Sequence, residues 1–398
     1  MNIAMVSPGW PIEEYPNGII AYVATMKKAL DATSNVWVLS SRIAKIEHNN
    51  SVVLIPKKKD QSNWNKLVSK IPGPYTEIFI YNNLWSRISY AINEAIVSIS
   101  PKPDIIEIEE SFGIAKWLTK YTDIPIVTRL HGTWFIHGPI DGKESEADFK
   151  IRVKSEGYAL ELSQGVTSPS INLLAKVRDF YNLPLEHAAV IPNPISPVTE
   201  ENRWITNPKK QIILFVGRFD AHKGGDLVIR AFHILAIVDR DLELFFVGPD
   251  RGVIDYGNKL NINEYISKYI KESSIRKRIH ILGAQNPKEI KLLRKQASVT
   301  VMASRYENFS MSLLEAIATG CPVVASNVGG NSEIIIDNHT GILVEPESPE
   351  ALAFGISELL NDKEKMTLIS QNAINDSLKR FHPEVIAAKT LAYYKKIL

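Results

Sequence analysis

The sequence predicts an α/β protein built from two successive parallel-sheet units. Short apolar runs alternate with amphipathic helical stretches, the alternation restarts at residue 211, and a proline-bearing polar stretch lies between the two series. A length of 398 residues suits two domains of roughly 200 residues better than one. With 45% hydrophobic and 23% charged residues, the composition is that of a folded globular chain rather than a disordered one.

In the first series, residues 2–7 form an apolar run stopped by Pro8-Gly9, the pattern of a buried strand. After a loop over 10–18, Ile20, Val23, Met26 and Leu30 recur at helical spacing. Further strands are expected at 36–39, 52–55, 105–108, 125–130, 165–168 and 190–192, with helices over 84–99 and 171–180. The second series predicts strands at 211–216, 242–247, 279–282, 299–302, 322–325 and 341–344. Its helices are expected at 225–237, 287–296, 313–319, 349–360 and from 363 onward. Pro192, Pro194 and Pro197, followed by the polar residues 199–210, read as a linker. Domains over 1–195 and 196–381 are therefore expected, with a ligand cleft between the carboxyl ends of their sheets and hinges at 192–208 and near His382.

Composition narrows the partners. The 46 Lys+Arg against 44 Asp+Glu leave a net charge of +2, which offers no field for nucleic acid. Cys321 stands alone, so no internal disulfide or thiolate metal cluster is expected, and it reads as a small packed residue. The N-terminus lacks a basic stretch followed by an apolar signal segment, and no window approaches the ~18 apolar residues of a membrane span. A cytoplasmic protein is expected, with peripheral contact at the inner face of a membrane left open. Lys57-Lys58-Lys59 is the one concentrated basic run; it reads as a solvated loop or as a surface for an anionic acceptor or headgroup.

Four features of the second series could carry chemistry. Val216-Gly217-Arg218-Phe219-Asp220-Ala221-His222-Lys223-Gly224-Gly225 follows a strand and precedes a helix, a position where free N–H groups favour anions. Arg218 offers a planar fork and Lys223 a point charge, a pair suited to a diphosphate. The bland reading is a turn with two solvated cations. In Glu307-Asn308-Phe309-Ser310-Met311-Ser312-Leu313-Leu314-Glu315, the two glutamates would lie about 12 Å apart along a helix at 1.5 Å per residue. Alone, such a pair is usually solvent-facing. The third feature is Gly320-Cys321-Pro322-Val323-Val324-Ala325-Ser326, running on through Gly329-Gly330 to Glu333, where paired glycines would let backbone approach a ligand. The fourth, Gly341-Ile342-Leu343-Val344, reads as structural. Asp239-Arg240-Asp241 sits before a strand and reads as a solvated turn, so no metal site is expected.

In this order and spacing the four features resemble the retaining GT-B glycosyltransferases of glycosyltransferase family 4, most strongly over 211–360. The resemblance implies the GT-B fold, two Rossmann-like domains facing a central cleft. It implies transfer of a hexose from a nucleotide diphosphate sugar, UDP-glucose first, to a saccharide or glycolipid acceptor in envelope or extracellular polysaccharide synthesis. Configuration would be retained, and neither a metal nor a cofactor would be needed. Arg218 and Lys223 would hold the diphosphate beside Gly217, Glu307 would meet the transferred sugar, and Glu315 the ribose. The helix start would bring Asn308, Phe309, Ser310, Met311 and Leu314 to the donor, and the base would be read around Gly248, Ile281 and Leu282. Most members have Glu-Gly-Phe-Gly where this chain has Glu307-Asn308-Phe309-Ser310. In the first series, Gly18 would face the phosphates, His131 the donor sugar, and Glu109 or Glu110 the acceptor. The final helix, about 382–398 with Val385, Ala388, Leu391 and Tyr394, would cross back onto the N-terminal domain. A sugar-nucleotide epimerase on the same fold, or a non-catalytic nucleotide-sugar-binding subunit, are the alternatives.

Overall fold

The computed structural model describes residues 1–15, 17–44, 51–56, 74–140, 142–205 and 211–398. Lys57-Lys58-Lys59 and the end of the expected linker, 206–210, lie outside them. The chain divides into two compact units, Met1–Pro194 with Pro383–Leu398, and Ile195–His382.

The first unit carries strands β1 (Asn2–Ser7), β2 (Asn35–Ser40), β3 (Val52–Leu54), β4 (Ile105–Glu109), β5 (Ile126–Arg129), β6 (Gly165–Ser168) and β7 (Ala188–Val190). They form one parallel sheet in the order β3-β2-β1-β4-β5-β6-β7, so the strand order reverses direction between β1 and β4. Its helices are α1 (Gly18–Leu30), α2 (Pro74–Val97), α3 (Ala115–Leu118), α4 (Trp134–Ile140), α5 (Phe149–Leu162) and α6 (Ile171–Tyr181). Strands that read as continuous apolar runs are buried on both faces: Ile3, Ala4, Ile105, Ile106, Ile126 and Val127 are all at 0% exposure.

The second unit has a six-stranded parallel sheet in the order β12-β9-β8-β13-β14-β15 and a separate antiparallel hairpin, β10-β11. The strands are β8 (Gln211–Val216), β9 (Leu242–Val247), β10 (Val253–Asp255), β11 (Asn258–Leu260), β12 (Ile279–Gly283), β13 (Val299–Met302), β14 (Val323–Ser326) and β15 (Ile342–Val344). The helices are α7 (Gly225–Val238), α8 (Ile262–Tyr269), α9 (Ser273–Arg276), α10 (Pro287–Gln296), α11 (Met311–Thr319), α12 (Asn331–Ile334), α13 (Pro349–Asn361) and α14 (Lys363–Arg380). The last helix, α15 (Pro383–Ile397), belongs to the first unit and packs on α1.

Two expectations need correction. The face that α15 buries is Ile386, Ala387, Thr390, Tyr393 and Tyr394, while Ala388 is exposed. The Tyr393 hydroxyl joins it to β6 through the Val166 N–H at 2.9 Å and donates to the His187 carbonyl at 2.5 Å. The stretch 199–205 is not free linker: the Trp204 indole donates to the Ala297 carbonyl at 2.6 Å, and its N–H to the Thr319 carbonyl at 2.8 Å. Helix α5 escaped the sequence reading because its buried face carries Ser155 and Glu156, which break the apolar rhythm. Among the described residues, no helix is long and apolar enough to cross a membrane.

Candidate functional site

Two constellations stand at the carboxyl ends of the sheets, one in each unit. In the second unit, the turn after β8 is fixed from below. The Gly217 N–H donates to the Val247 carbonyl at 2.9 Å, and Phe219, fully buried, exchanges backbone bonds with Pro249 and Arg251. Asp220 then joins the two cations: its Oδ2 lies 2.7 Å from Arg218 Nε, and its Oδ1 accepts from the Lys223 N–H at 2.8 Å. Gly224 closes the turn at φ 68°, where a Cβ would stand 1.9 Å from the Ala303 carbonyl oxygen. Helix α7 starts there; its first N–H groups have no partner within the helix, and the N-cap Gly224 has no side chain to offer them.

Facing this turn is the loop between β13 and α11. Lys223 Nζ lies 2.6 Å from Glu307 Oε1, which also accepts from the Ser304 hydroxyl at 2.7 Å. Burial alone would raise the Glu307 carboxyl, but the ammonium and the hydroxyl hold it below the usual carboxylate range. Arg305 ties the two segments together with a bidentate grip on Asp226 at 2.8 and 3.0 Å. His222 donates to the Tyr306 carbonyl at 2.8 Å. Its ring is held below the ordinary histidine value by burial first and the charge of Lys223 second.

The glutamate pair does not share a helix. Ser310 is the N-cap of α11, its hydroxyl accepting from the Leu313 N–H at 3.3 Å, so Glu307 lies in the loop and only Glu315 is helical. The 1.5 Å rise per residue therefore does not apply between them. Glu315 is held by the almost fully buried Arg294, whose Nη1 lies 2.6 Å from Oε2 and whose Nη2 donates to the Ser312 hydroxyl at 2.8 Å. Nothing in the sequence marks Arg294, which sits on the amphipathic α10 among solvated lysines.

Other expected donor residues take different places. Leu314 is at 0% exposure and Phe309 packs edge-on against Phe381 at 5.9 Å, so both side chains are core. Met311 is half-buried and heads α11 with Ser312; neither N–H can be reached by a carbonyl of the helix itself. Gly248 has φ 143° and a Cβ there would meet the Gly217 carbonyl oxygen at 2.0 Å, but its N–H donates to Gly283. The Leu282 carbonyl accepts from Gln285 at 2.6 Å, while the Ile281 side chain is 39% exposed. Packing of the chain itself requires glycine at 329 and 330: added Cβ atoms would meet the carbonyl oxygens of Glu307 at 2.0 Å and Asn308 at 2.2 Å. Asn308 is itself buried.

In the first unit, Gly18 is the first residue of α1, capped by Asn17, whose side chain accepts from the Ile19 N–H at 2.7 Å; a Cβ at Gly18 would meet open space. His131 follows β5. Burial, and after it the charge of Arg129, pushes its ring down to about 3, so it is neutral at physiological pH. The carboxylate of Glu110 accepts the N–H groups of His131 at 2.9 Å and Gly132 at 2.5 Å. That corrects its expected role: Glu110, at 1% exposure, shapes the His131 turn and has no face for an acceptor. Glu109, next along, is pushed up to about 7 by burial and then by Glu110. Beneath the turn, Glu156 accepts from the Trp134 N–H at 2.7 Å and from Arg152 Nε at 2.9 Å. Among the described residues, no group of three or more His, Cys, Asp or Glu is placed to hold a metal ion. The Asp241 N–H donates to Asp239 Oδ1 at 2.9 Å, a local turn. Cys321 is buried, its thiol pushed up to about 11 by burial.

Comparison with known proteins decides the family. Residues 198–376 match the family described as Glycosyl transferases group 1, and residues 16–198 match Glycosyltransferase Family 4. An uncharacterised glycosyltransferase of Methanocaldococcus jannaschii is 30% identical over 285 residues, 68% of this chain and 69% of its own length. The chain is a GT-B glycosyltransferase. Its fold is shared with sucrose-phosphate synthase of Thermosynechococcus elongatus, at TM-score 0.72, 20% identity, and coverage of 99% of this chain and 98% of the other. The Anabaena protein HepE, solved with UDP and glucose, matches at TM-score 0.68 and 16% identity over 100% of both chains. For this glycosyltransferase, the family matches favour transfer over the epimerase and non-catalytic alternatives.

A pH consequence follows from the half-buried His131, its ring held neutral. Its ring is expected to stay neutral from pH 8 down to pH 5, so its carbon-bound ring protons should show flat NMR shifts across that range. A titration near the unperturbed pKa of about 6.5 would contradict the burial account.

Proposed function

We propose that this enzyme transfers a hexose from a UDP-sugar to a saccharide or glycolipid acceptor with retention of configuration and without a metal. The observation that carries the reading is the Arg218–Asp220–Lys223–Glu307 constellation, two cations on one rigid turn beside the start of α7. Departure of the nucleoside diphosphate places negative charge on the β-phosphate while positive charge grows at the anomeric carbon. Fixed cations and N–H dipoles at that phosphate are what lowers such a barrier. Arg218 grips phosphate oxygens as a fork, Lys223 as a point charge, and the first N–H groups of α7 add a positive dipole end.

The bond from the anomeric carbon to the phosphate oxygen breaks, and a bond to the acceptor oxygen forms on the same face. The acceptor proton passes to the departing phosphate, so no carboxylate nucleophile is needed. Glu307, ionised and fixed by Lys223, accepts hydrogen bonds from the sugar hydroxyls. Glu315, held by Arg294, does the same for the ribose. His131, neutral, serves as a hydrogen-bonding partner for the sugar. A UDP donor is supported by the fold neighbour solved with UDP and glucose. A role in polysaccharide assembly rests on the family resemblance alone.

The test is a donor screen followed by NMR of the first-formed sugar anomer. UDP-glucose should be consumed with the α configuration kept in the product; inversion would remove the same-face mechanism. Gly18→Ala provides a second check. With open space at the Cβ and an ordinary helical backbone, the variant should match or exceed the wild type in stability by about 0.5–1 kcal/mol. A rise in the donor KM would show that phosphate approaches this helix start; unchanged kinetics would remove Gly18 from the donor site.

A further inference from the structure

Strand β5 ends in a cation that the fold does not need for its stability. Arg129 is 1% exposed, the last residue of an otherwise uncharged strand. Its guanidinium makes one hydrogen bond, from Nη2 to the Asn193 side-chain oxygen at 2.7 Å. Nε and Nη1 are buried and have no hydrogen-bond partner among the described residues. The carboxyl whose charge it meets is Glu107, itself buried and pushed up by that burial. Taking a cation out of water is costly, and one bond to a neutral amide does not offset it. An apolar side chain of the same length would serve the core at least as well.

The contacts of Arg129 lead to His131, two residues on. The guanidinium carbon lies 4.6 Å from the centroid of the Tyr22 ring, a cation–π contact made out of water, where such contacts are strongest. The same Tyr22 ring meets the His131 ring edge-on, with centroids 5.1 Å apart and planes at 72°. Tyr22 is fixed at its other end, since its hydroxyl donates to Glu107 Oε2 at 3.3 Å. Tyr394 of α15 donates to the same oxygen at 2.6 Å. The backbone of His131 is held by Glu110, as described above, whereas its ring leans on Tyr22. The orientation of the imidazole is thus set by a chain of buried groups, with Arg129 braced on Asn193 at one end and Glu107 braced on Tyr394 at the other. The charge of Arg129 also disfavours a second cation beside it, which helps keep the imidazole neutral.

We propose that Arg129 is a positioning residue for sugar transfer, aiming the His131 ring at the donor sugar through the ring of Tyr22. This rests on the transferase reading, in which His131 meets that sugar. The test is the full chain carrying Arg129→Met together with Glu107→Gln, which removes both buried charges and leaves Tyr394 an amide oxygen to donate to. The pair should melt at or above the wild type and bind UDP as the wild type does, because the diphosphate is held in the other unit. Its kcat with the UDP-sugar that the wild type consumes should nevertheless fall about 10–100-fold. In spectra of histidine-labelled protein, the His131 ring protons should move in the pair, since the Tyr22 ring is no longer clamped. Arg129→Lys, which keeps the cation without the planar fork, should restore part of the rate. In a Tyr22→Leu background the pair should cost little further turnover, as expected of residues acting in series. Undiminished kcat, unmoved His131 signals, or a rate loss that merely tracks a fall in stability would overturn the inference. A wild type that consumes no UDP-sugar, with His131 signals that still move in the pair, would remove the transferase reading and leave the positioning in place.

Discussion

Arg218→Ala and Lys223→Ala are each expected to lower kcat by about 10²–10³, the loss seen when one preorganised charge-stabilising donor is removed. The two substitutions differ in what they leave behind. Arg218 is 37% exposed and its partner Asp220 keeps the Lys223 N–H, so Arg218→Ala should fold normally. Lys223→Ala strips the partner from Glu307, whose side chain is only 8% exposed, leaving a carboxylate with Ser304 alone. Its stability should therefore fall with activity. Pairing Lys223→Met with Glu307→Gln separates the two effects: stability should return while turnover stays low. Steady-state rates and thermal melts of the three proteins provide the check. Near-normal turnover in both single variants would sink the assignment of the leaving-group site.

Gly224→Ala is expected to be among the most damaging single changes in the second unit. A Cβ at this position stands 1.9 Å from the Ala303 carbonyl oxygen, and φ 68° is itself strained for a residue with a side chain. Backbone strain and overpacking each contribute about 1–3 kcal/mol, so a loss of roughly 3–5 kcal/mol is expected. In a unit of this size that is a fall in Tm on the order of 10 °C. Because the turn carrying Lys223 ends here, any protein that survives should also turn over slowly. Calorimetry of the variant measures the first effect. A Tm within about 2 °C of the wild type would contradict the packing described.

Much of the second unit is legible in the sequence because its signals are local. An apolar run, a glycine-bearing turn with two cations and a helix follow one another without interruption, and the structure places them at one sheet edge. The Glu307–Glu315 spacing misleads for an equally physical reason. Ser310 offers its hydroxyl to the Leu313 N–H and starts the helix there, so eight residues of sequence span a loop and one turn of helix. Gly329 and Gly330 read as ligand-facing because glycine permits close approach; the sequence alone does not say that the approaching group is the Glu307–Asn308 backbone. In the first unit the polar scaffold is silent in sequence. Glu110 and Glu156 come from β4's end and α5, dozens of residues apart, and are both tied to the turn after β5 by the backbone N–H groups they accept. Arg294 belongs to the same class, a buried cation on a helix that otherwise looks solvated.

The central claim is that Arg218 and Lys223 hold a nucleoside diphosphate. The most direct test is a thermal-shift titration of wild type, Arg218→Ala and Lys223→Met/Glu307→Gln with UDP, GDP, ADP and uridine. At 100 times its Kd, a ligand stabilises the folded state by about 2.7 kcal/mol, well within reach of the measurement. The account predicts a shift of the wild type by UDP that shrinks strongly in both variants while uridine, lacking phosphates, does little to any of them. An equal UDP shift in all three proteins, or none with any of the diphosphates, would contradict it.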